Sequence, residues 1–204
     1  MKSAAAIIAV LGALAGCVSI PEVPPREYYV LEDLAPAGAS KPAAATGRVL
    51  LVNPATANPF YDTQNLVFSR APGQRAYYQF AAWTERPGHT LCELLALRLE
   101  ASGDFRAVAA TTAGVRGEVV LHIRLEEFYH DVTGKPGSVR IEATAVLVDA
   151  VERTLIARRR FVQSAPAADE NAQAAVAAFN QATTALLDAM SAWVERAAAK
   201  PPTR

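Results

Sequence analysis

Apolar and polar positions alternate over Glu118–Glu126. Val119, Leu121, Ile123 and Leu125 face one way, and His122, Arg124 and Glu126 the other. A two-residue period is that of a strand with one buried face. Val139–Val148 repeats it, with Val139, Ile141, Ala143, Ala145 and Leu147 inward, and Gly134-Lys135-Pro136-Gly137 between the two is a turn signal. Thr154–Val162 is predicted as the third strand of this meander, which makes an antiparallel sheet with one wet face. Adjacent on a strand, Glu126 and Glu127 are expected to point to opposite faces, as a solvated pair rather than a catalytic dyad.

Upstream the pattern is more broken. Tyr28–Leu31 and Arg48–Val52 read as short strands, with an Ala/Pro/Gly/Ser-rich loop over Ala35–Gly47 between them. Asn53–Gln64, with Pro54 and Pro59, is expected to be irregular. Leu66–Arg70 and Arg75–Phe80 flank Ala71-Pro72-Gly73-Gln74, which predicts a hairpin. Leucines 91, 94, 95 and 99 then mix helical spacings, and Ser102-Gly103 provides a stop. Two starts fit this helix: Pro87 in the first turn, or a capping box Thr90-x-x-Glu93. Phe105–Ala109 is predicted as a further short strand.

From about Ala168 to Ala198 there is neither Gly nor Pro. Val176, Phe179, Thr183, Leu186, Met190, Trp193 and Ala197 recur at alternating spacings of three and four. Such a stripe suits a long helix lying on a sheet, and a coiled-coil seam would need the same one. The expected fold is therefore α+β: a single domain, a mixed and mostly antiparallel sheet packed against two helices, one long and C-terminal.

Composition narrows the class. Of 204 residues 51% are apolar, but 43 are alanine, so the strongly apolar fraction is that of an ordinary globular domain. Twenty basic residues balance twenty acidic ones, which removes the electrostatic footprint of a nucleic-acid binder. Two cysteines exclude a disulfide-stapled miniprotein.

The start of the chain has its own pattern. Lys2 precedes an uncharged apolar run from Ala4 to Gly16, too short to span a bilayer, which needs about 20 helical residues. It matches the two regions of a secretory signal peptide. Its end, Leu14-Ala15-Gly16-Cys17, resembles the bacterial lipoprotein signal. That resemblance implies that residues 1–16 are removed and that Cys17 is lipidated on its thiol and new amine, giving a membrane anchor. Val18 stands where Asp marks inner-membrane retention in enterobacterial lipoproteins, which favours the periplasmic face of the outer membrane. Residues 17–26 contain Pro21, Pro24 and Pro25 and read as a semi-rigid tether. At about 3.3 Å per residue its nine positions after Cys17 reach roughly 30 Å. The folded domain is expected over residues 27–200. With Cys17 acylated, Cys92 has no partner and is read as a buried structural thiol.

Catalytic patterns are not apparent. His89, His122 and His130 stand in unrelated settings, and no His-x-x-His, Cys-x-x-Cys, Gly-x-Ser-x-Gly or Walker-type loop occurs. No metal, no cofactor and no enzymatic activity are expected. Arg158-Arg159-Arg160 is the one basic run. Alternation splits it between two faces and sets Arg159 beside Leu155, Ala157 and Phe161, where it must find a partner or an edge. Aromatic side chains cluster in Tyr77-Tyr78-Gln79-Phe80-Ala81-Ala82-Trp83. Such a strand is either covered on both faces or offers one recognition face, and Tyr78 and Trp83 are its candidate partner-binding residues.

Taken in order, the lipoprotein signal, Tyr28-Tyr29-Val30-Leu31, Phe68-Ser69-Arg70, Tyr78 and Trp83-x-x-x-Pro87 resemble the ABC-type transport auxiliary lipoproteins. The likeness continues through Ala101-Ser102-Gly103-Asp104-Phe105, the central strand pair and Ala178-Phe179-Asn180-x-Ala182. The chain departs at Asn58-Pro59-Phe60-Tyr61-Asp62, where a Tyr-Leu or short Pro-Tyr stretch is common in the family, so the resemblance carries no contact role over to Tyr61. The resemblance implies a non-enzymatic periplasmic accessory lipoprotein working with an MCE-domain (mammalian cell entry) protein, an ABC permease and its ATPase in intermembrane lipid transport. Some relatives assemble into rings, so it leaves a homo-oligomer open. A phospholipid-binding carrier and an envelope assembly scaffold are the competing readings.

Overall fold

The computed structural model describes residues 24–35 and 47–199. The leader over 1–16, Cys17, most of the tether and the loop over 36–46 lie outside the described residues. In chain order the elements are β1 (Glu27–Tyr29), β2 (Val49–Val52), β3 (Thr56–Ala57), β4 (Asn65–Ser69), β5 (Ala76–Trp83) and α1 (Pro87–Ser102). Then follow β6 (Ala107–Ala110), β7 (Val119–Asp131), β8 (Ser138–Asp149), β9 (Thr154–Pro166) and α2 (Ala172–Ala198).

β7 is the spine of one mixed sheet. One of its edges carries β8 and then β9, both antiparallel. Its other edge takes three short parallel strands in succession: β2 with Leu50 opposite Val119, β3 with Thr56 opposite Arg124, and β4 with Phe68 opposite His130. Beyond them the sheet divides into two wings. β6 lies outside β2, and β5 then β1 lie outside β4. The long ladders are antiparallel, and the parallel pairing comes from the short strands docked on β7.

Both helices cover one face. α1 opens with Pro87 in its first turn and closes at Gly103, whose φ of 71° is the left-handed cap that glycine adopts without strain. The first of the two expected starts is thus the one adopted. α2 opens at Asn171, whose side chain accepts from the Ala174 N–H at 2.9 Å. Every member of its stripe, from Val176 to Ala197, is buried. The stripe lies on β8 and β9 and against α1, so it serves sheet packing. Alanine explains the close approach, since Ala143 and Ala145 of β8 and Ala175, Ala178 and Ala182 of α2 are all buried. At the centre Phe128 stacks on Phe179 with ring centroids 4.3 Å apart, and Trp83 meets both edge-on at 5.8 and 5.4 Å.

Several expectations are corrected. The meander strands run on to Asp131 and Pro166, and a two-residue strand, β3, interrupts the segment expected to be irregular. A bulge in β7 shifts the register between Leu125, opposite Ala143, and Glu127, opposite Glu142. One extra residue rephases the alternation, so that Phe128 and His130 rejoin Leu121–Leu125 on the helix side. Glu126 and Glu127 therefore share the helix-free face, contrary to the simple alternation. A second shift, between Leu147 and Val148, pairs Leu155 with Val148 and moves it off the face of Ala157, Arg159 and Phe161. The first strand also stops at Tyr29, because Leu31 leaves the ladder to become buried in the core.

The arm after β1 is fastened to the helices. The Glu32 N–H donates to Asn180 Oδ1 at 3.1 Å and the Leu34 N–H to Thr184 Oγ1 at 2.8 Å. Asp33 takes two hydrogen bonds from Arg98 of α1, which also pairs with Asp188 of α2. The Arg98 guanidinium holds the Asp33 carboxyl below its ordinary value, against the opposing effect of burial.

Candidate interaction surface

No described helix packs on the other face of the sheet, and its side chains form a continuous polar and aromatic band. It starts at the β4–β5 wing. Tyr77, 42% exposed, stacks on Phe60 with centroids 4.8 Å apart, and Phe60 meets Tyr61 edge-on at 5.8 Å. The Arg75 Nε–H donates to the Tyr61 hydroxyl at 2.9 Å, and the Arg75 guanidinium lies 3.6 Å from the centroid of Tyr129. Planar and weakly hydrated, a guanidinium suits such an aromatic cradle.

From Arg75 an ionic ladder crosses the sheet strand by strand. Arg75 meets Glu127 of β7 at 3.4 Å, Glu127 meets Arg140 of β8, Arg140 meets Glu142 at 2.9 Å, and Glu142 meets Arg160 of β9. Opposite charges at neighbouring positions on one face support one another. The hydrogen bond from Arg160 holds the largely buried Glu142 carboxyl below its ordinary value, although burial opposes the shift. Burial pushes the Tyr61 phenol up. The ladder thus presents fixed, alternating charges whose geometry is set before any partner arrives, which favours recognition of a complementary polar surface.

The two residues singled out in the sequence lie on the helix side. Trp83 is 1% exposed and sits in the aromatic centre with Phe128 and Phe179. It is a core residue, and the expectation that it contacts a partner is corrected by its burial. Tyr78 is half-buried beneath the entry to α2; its hydroxyl lies 2.8 Å from His130 Nδ1 and 3.4 Å from the Glu170 carbonyl. Burial pushes that phenol up to about 12. Tyr78 and Trp83 are therefore not brought together into a surface patch. A register shift between the Asn65–Ala82 and Val67–Tyr77 pairs lets Tyr78 and Trp83, of opposite parity, share the helix side, whereas Tyr77, next to Tyr78, lies on the open face against Phe60. The sequence does not point to Arg75, Tyr129 and Arg140 because they come from the turn before β5, from β7 and from β8, and only the bulged register aligns them.

The other candidates are dispersed. Cys92 is buried, its thiol is pushed up to about 11 by burial, and it donates to the Asn53 carbonyl. His122 meets Asn53, and His89 meets Glu93. Among the described residues no group of three or more His, Cys, Asp or Glu is arranged to hold a metal ion. A cleft of about 480 Å³ opens at the start of α1, lined by Asp62, Gln64, Glu85, Arg86 and His89 among others. No described helix is long and apolar enough to cross a membrane.

Known structures share this arrangement. Protein XCC0632 from Xanthomonas campestris, of the DUF330 family, superposes with a TM-score of 0.75 at 24% identity, covering 84% of this chain and 95% of its own. The hypothetical protein CT253 from Chlamydia trachomatis superposes with a TM-score of 0.51 at 11% identity, covering 75% and 98%. None of the curated proteins matches the chain. The family model of the ABC-type transport auxiliary lipoprotein component matches residues 29–191, which include all but the ends of the fold described above. The chain belongs to the ABC-type transport auxiliary lipoprotein component family.

Proposed function

We infer that this chain is a lipid-anchored accessory subunit that holds an MCE-domain protein in place for an ABC permease and ATPase moving lipid between membranes. In this reading residues 1–16 are cleaved, Cys17 is acylated, residues 17–26 form the tether, and residues 27–200 are the docking domain on the periplasmic face of the outer membrane. Its work is positional: a tethered domain raises the local concentration of whatever it docks, and no catalytic step is required. The supporting observation is the pre-ordered band from Phe60 and Tyr77 through Arg75, Glu127 and Arg140 to Arg160. The carrier alternative would need an apolar groove for acyl chains, whereas the cleft at the start of α1 is lined by charged and polar side chains.

Purification of the full-length protein from its own membranes in mild detergent, followed by mass spectrometry, tests this reading. The expected result is an MCE-domain protein with its permease and ATPase, a triacylated Cys17 peptide, and loss of membrane retention in Cys17→Ala. An acylated protein recovered without transporter subunits, or transport in cells undiminished by Cys17→Ala, would overturn it.

A further inference from the structure

Among the described residues the sheet ends at β9, which pairs only with β8. Its outer edge is thirteen residues long, against three and four for β1 and β6 at the other margins. A free edge of that length leaves backbone N–H and C=O groups in position to accept another extended segment.

The side chains along the edge select what that segment is. On the helix-free face it carries Arg158, Arg160 and Val162, opposite Val146, Thr144 and Glu142 of β8. Arg159 lies on the helix side, its guanidinium 5.0 Å from the Phe161 ring. All three arginines are exposed, as are Leu155 at 64% and Val162 at 44%. Arg160 is joined to Glu142, while no described carboxylate pairs with Arg158 or Arg159. A second copy pairing antiparallel about the centre of this edge would bring six guanidinium groups together, and like charges facing across strands are unfavourable. A lipid headgroup could neutralise the arginines but could not continue a backbone ladder.

We propose that the free edge of β9 receives an extended acidic segment of a partner protein, added as a further strand. Its alternate carboxylates meet Arg158 and Arg160 on the helix-free face, and its intervening apolar side chains fall on the side of Arg159 and Phe161. This contact adjoins the end of the docking band at Arg160, extends beyond it along the β9 edge, and stands whether or not the partner belongs to a lipid transporter.

The test uses the full-length protein in detergent and an eight-residue peptide of alternating Glu and Val as the probe. Amide hydrogen exchange over residues 154–166 reads the ladder, and fluorescence anisotropy reads affinity. The expected result is slowed exchange in β9 with the Glu–Val peptide and no binding by its Lys–Val counterpart. Arg158→Glu, at an exposed side chain outside the ionic ladder, should weaken the Glu–Val peptide about tenfold. N-methylation of alternate peptide amides should abolish binding in one of the two registers. Equal binding of the Lys–Val peptide, binding indifferent to N-methylation in both registers, or no binding at millimolar peptide would overturn the proposal. Protection of β9 by phosphatidylglycerol vesicles in place of the peptide would overturn it in favour of a membrane surface. Concentration-dependent protection without peptide would overturn it in favour of a second copy.

Discussion

The Tyr78 hydroxyl and His130 Nδ1 are hydrogen-bonded across 2.8 Å, directly beneath the chain that enters α2. His130 is fully buried, its Nε2 has no hydrogen-bond partner, and Gly137 leaves room for it, since a Cβ there would come within 2.9 Å of that nitrogen. Burial pushes the imidazole below its ordinary value of 6.5, while Asp131 and Glu170 pull the other way. The ring is therefore neutral at neutral pH and tied to Tyr78 through Nδ1.

A depressed histidine pKa has a definite consequence for stability. The unfolded chain binds a proton at about 6.5 that the folded chain refuses, so the contribution is complete above that pH and is lost as pH falls below it. The melting temperature of the native protein should drop between pH 7.5 and 5.5, and His130→Gln should flatten that dependence while lowering stability at pH 7.5. Glu142, whose carboxyl is held below its ordinary 4.5, loses its contribution only in a more acid window. An unchanged slope in His130→Gln would remove the histidine as the source.

Two aromatic substitutions on β5 separate core from surface. Trp83→Ala empties the aromatic centre and should cost about 3–5 kcal/mol in denaturant unfolding. Tyr77→Ala, on the open face, should cost about 1 kcal/mol or less and reduce recovery of docked partner subunits from membranes. The reverse pattern would relocate the interaction surface to the helix side.

The arm is held chiefly by one carboxylate. Asp33→Ala leaves Arg98 with Asp188 alone and should destabilise by about 1–3 kcal/mol. Amide exchange over residues 27–35 should rise well before that of β7 and β8. Uniform loss of protection across the domain would show the clip to be part of the global core.

Gly117 precedes β7 where the chain passes close to β2. A Cβ there would lie 2.6 Å from Leu51 Cγ and 3.0 Å from the Val49 carbonyl. Gly117→Ala should therefore destabilise by about 1–3 kcal/mol through overpacking, as a thermal melt would read.

With its pKa raised to about 11, the buried Cys92 thiol should resist iodoacetamide at pH 7.5 in the folded protein and react once the chain is unfolded. Rapid native labelling would mean that the packing around α1 opens far more readily than its burial implies.

The parts of the fold legible in the sequence are those written locally. The meander shows in the alternation of Val119–Leu125 and Val139–Leu147, α2 in its apolar stripe, and the end of α1 in Ser102-Gly103. What was not legible depends on partners distant in the chain. Nothing near Thr56 announces that it pairs with Arg124, and a bulge at Glu126 reads as ordinary alternation until Phe128 and His130 are seen on the helix side. The interaction surface was harder still. Aromatic density in Tyr77–Trp83 marks burial as readily as exposure, so it led to Tyr78 and Trp83 on the covered side. The open face instead joins Arg75, Glu127 and Arg140 from three elements, a relation visible only once the register is known.

The fastening of residues 31–34 also has a mechanical side. Any pull arriving from the N-terminal direction is taken first by the three-residue pairing of β1 with β5, and next by Asp33 on Arg98 with the Asn180 and Thr184 contacts. These are short contacts, and they stand ahead of the long ladders on the chain's path from that end. The arm thus works as strain relief: a tug on the leading end would peel a short edge strand and a polar clip, and leave the long ladders to either side of β8 in register.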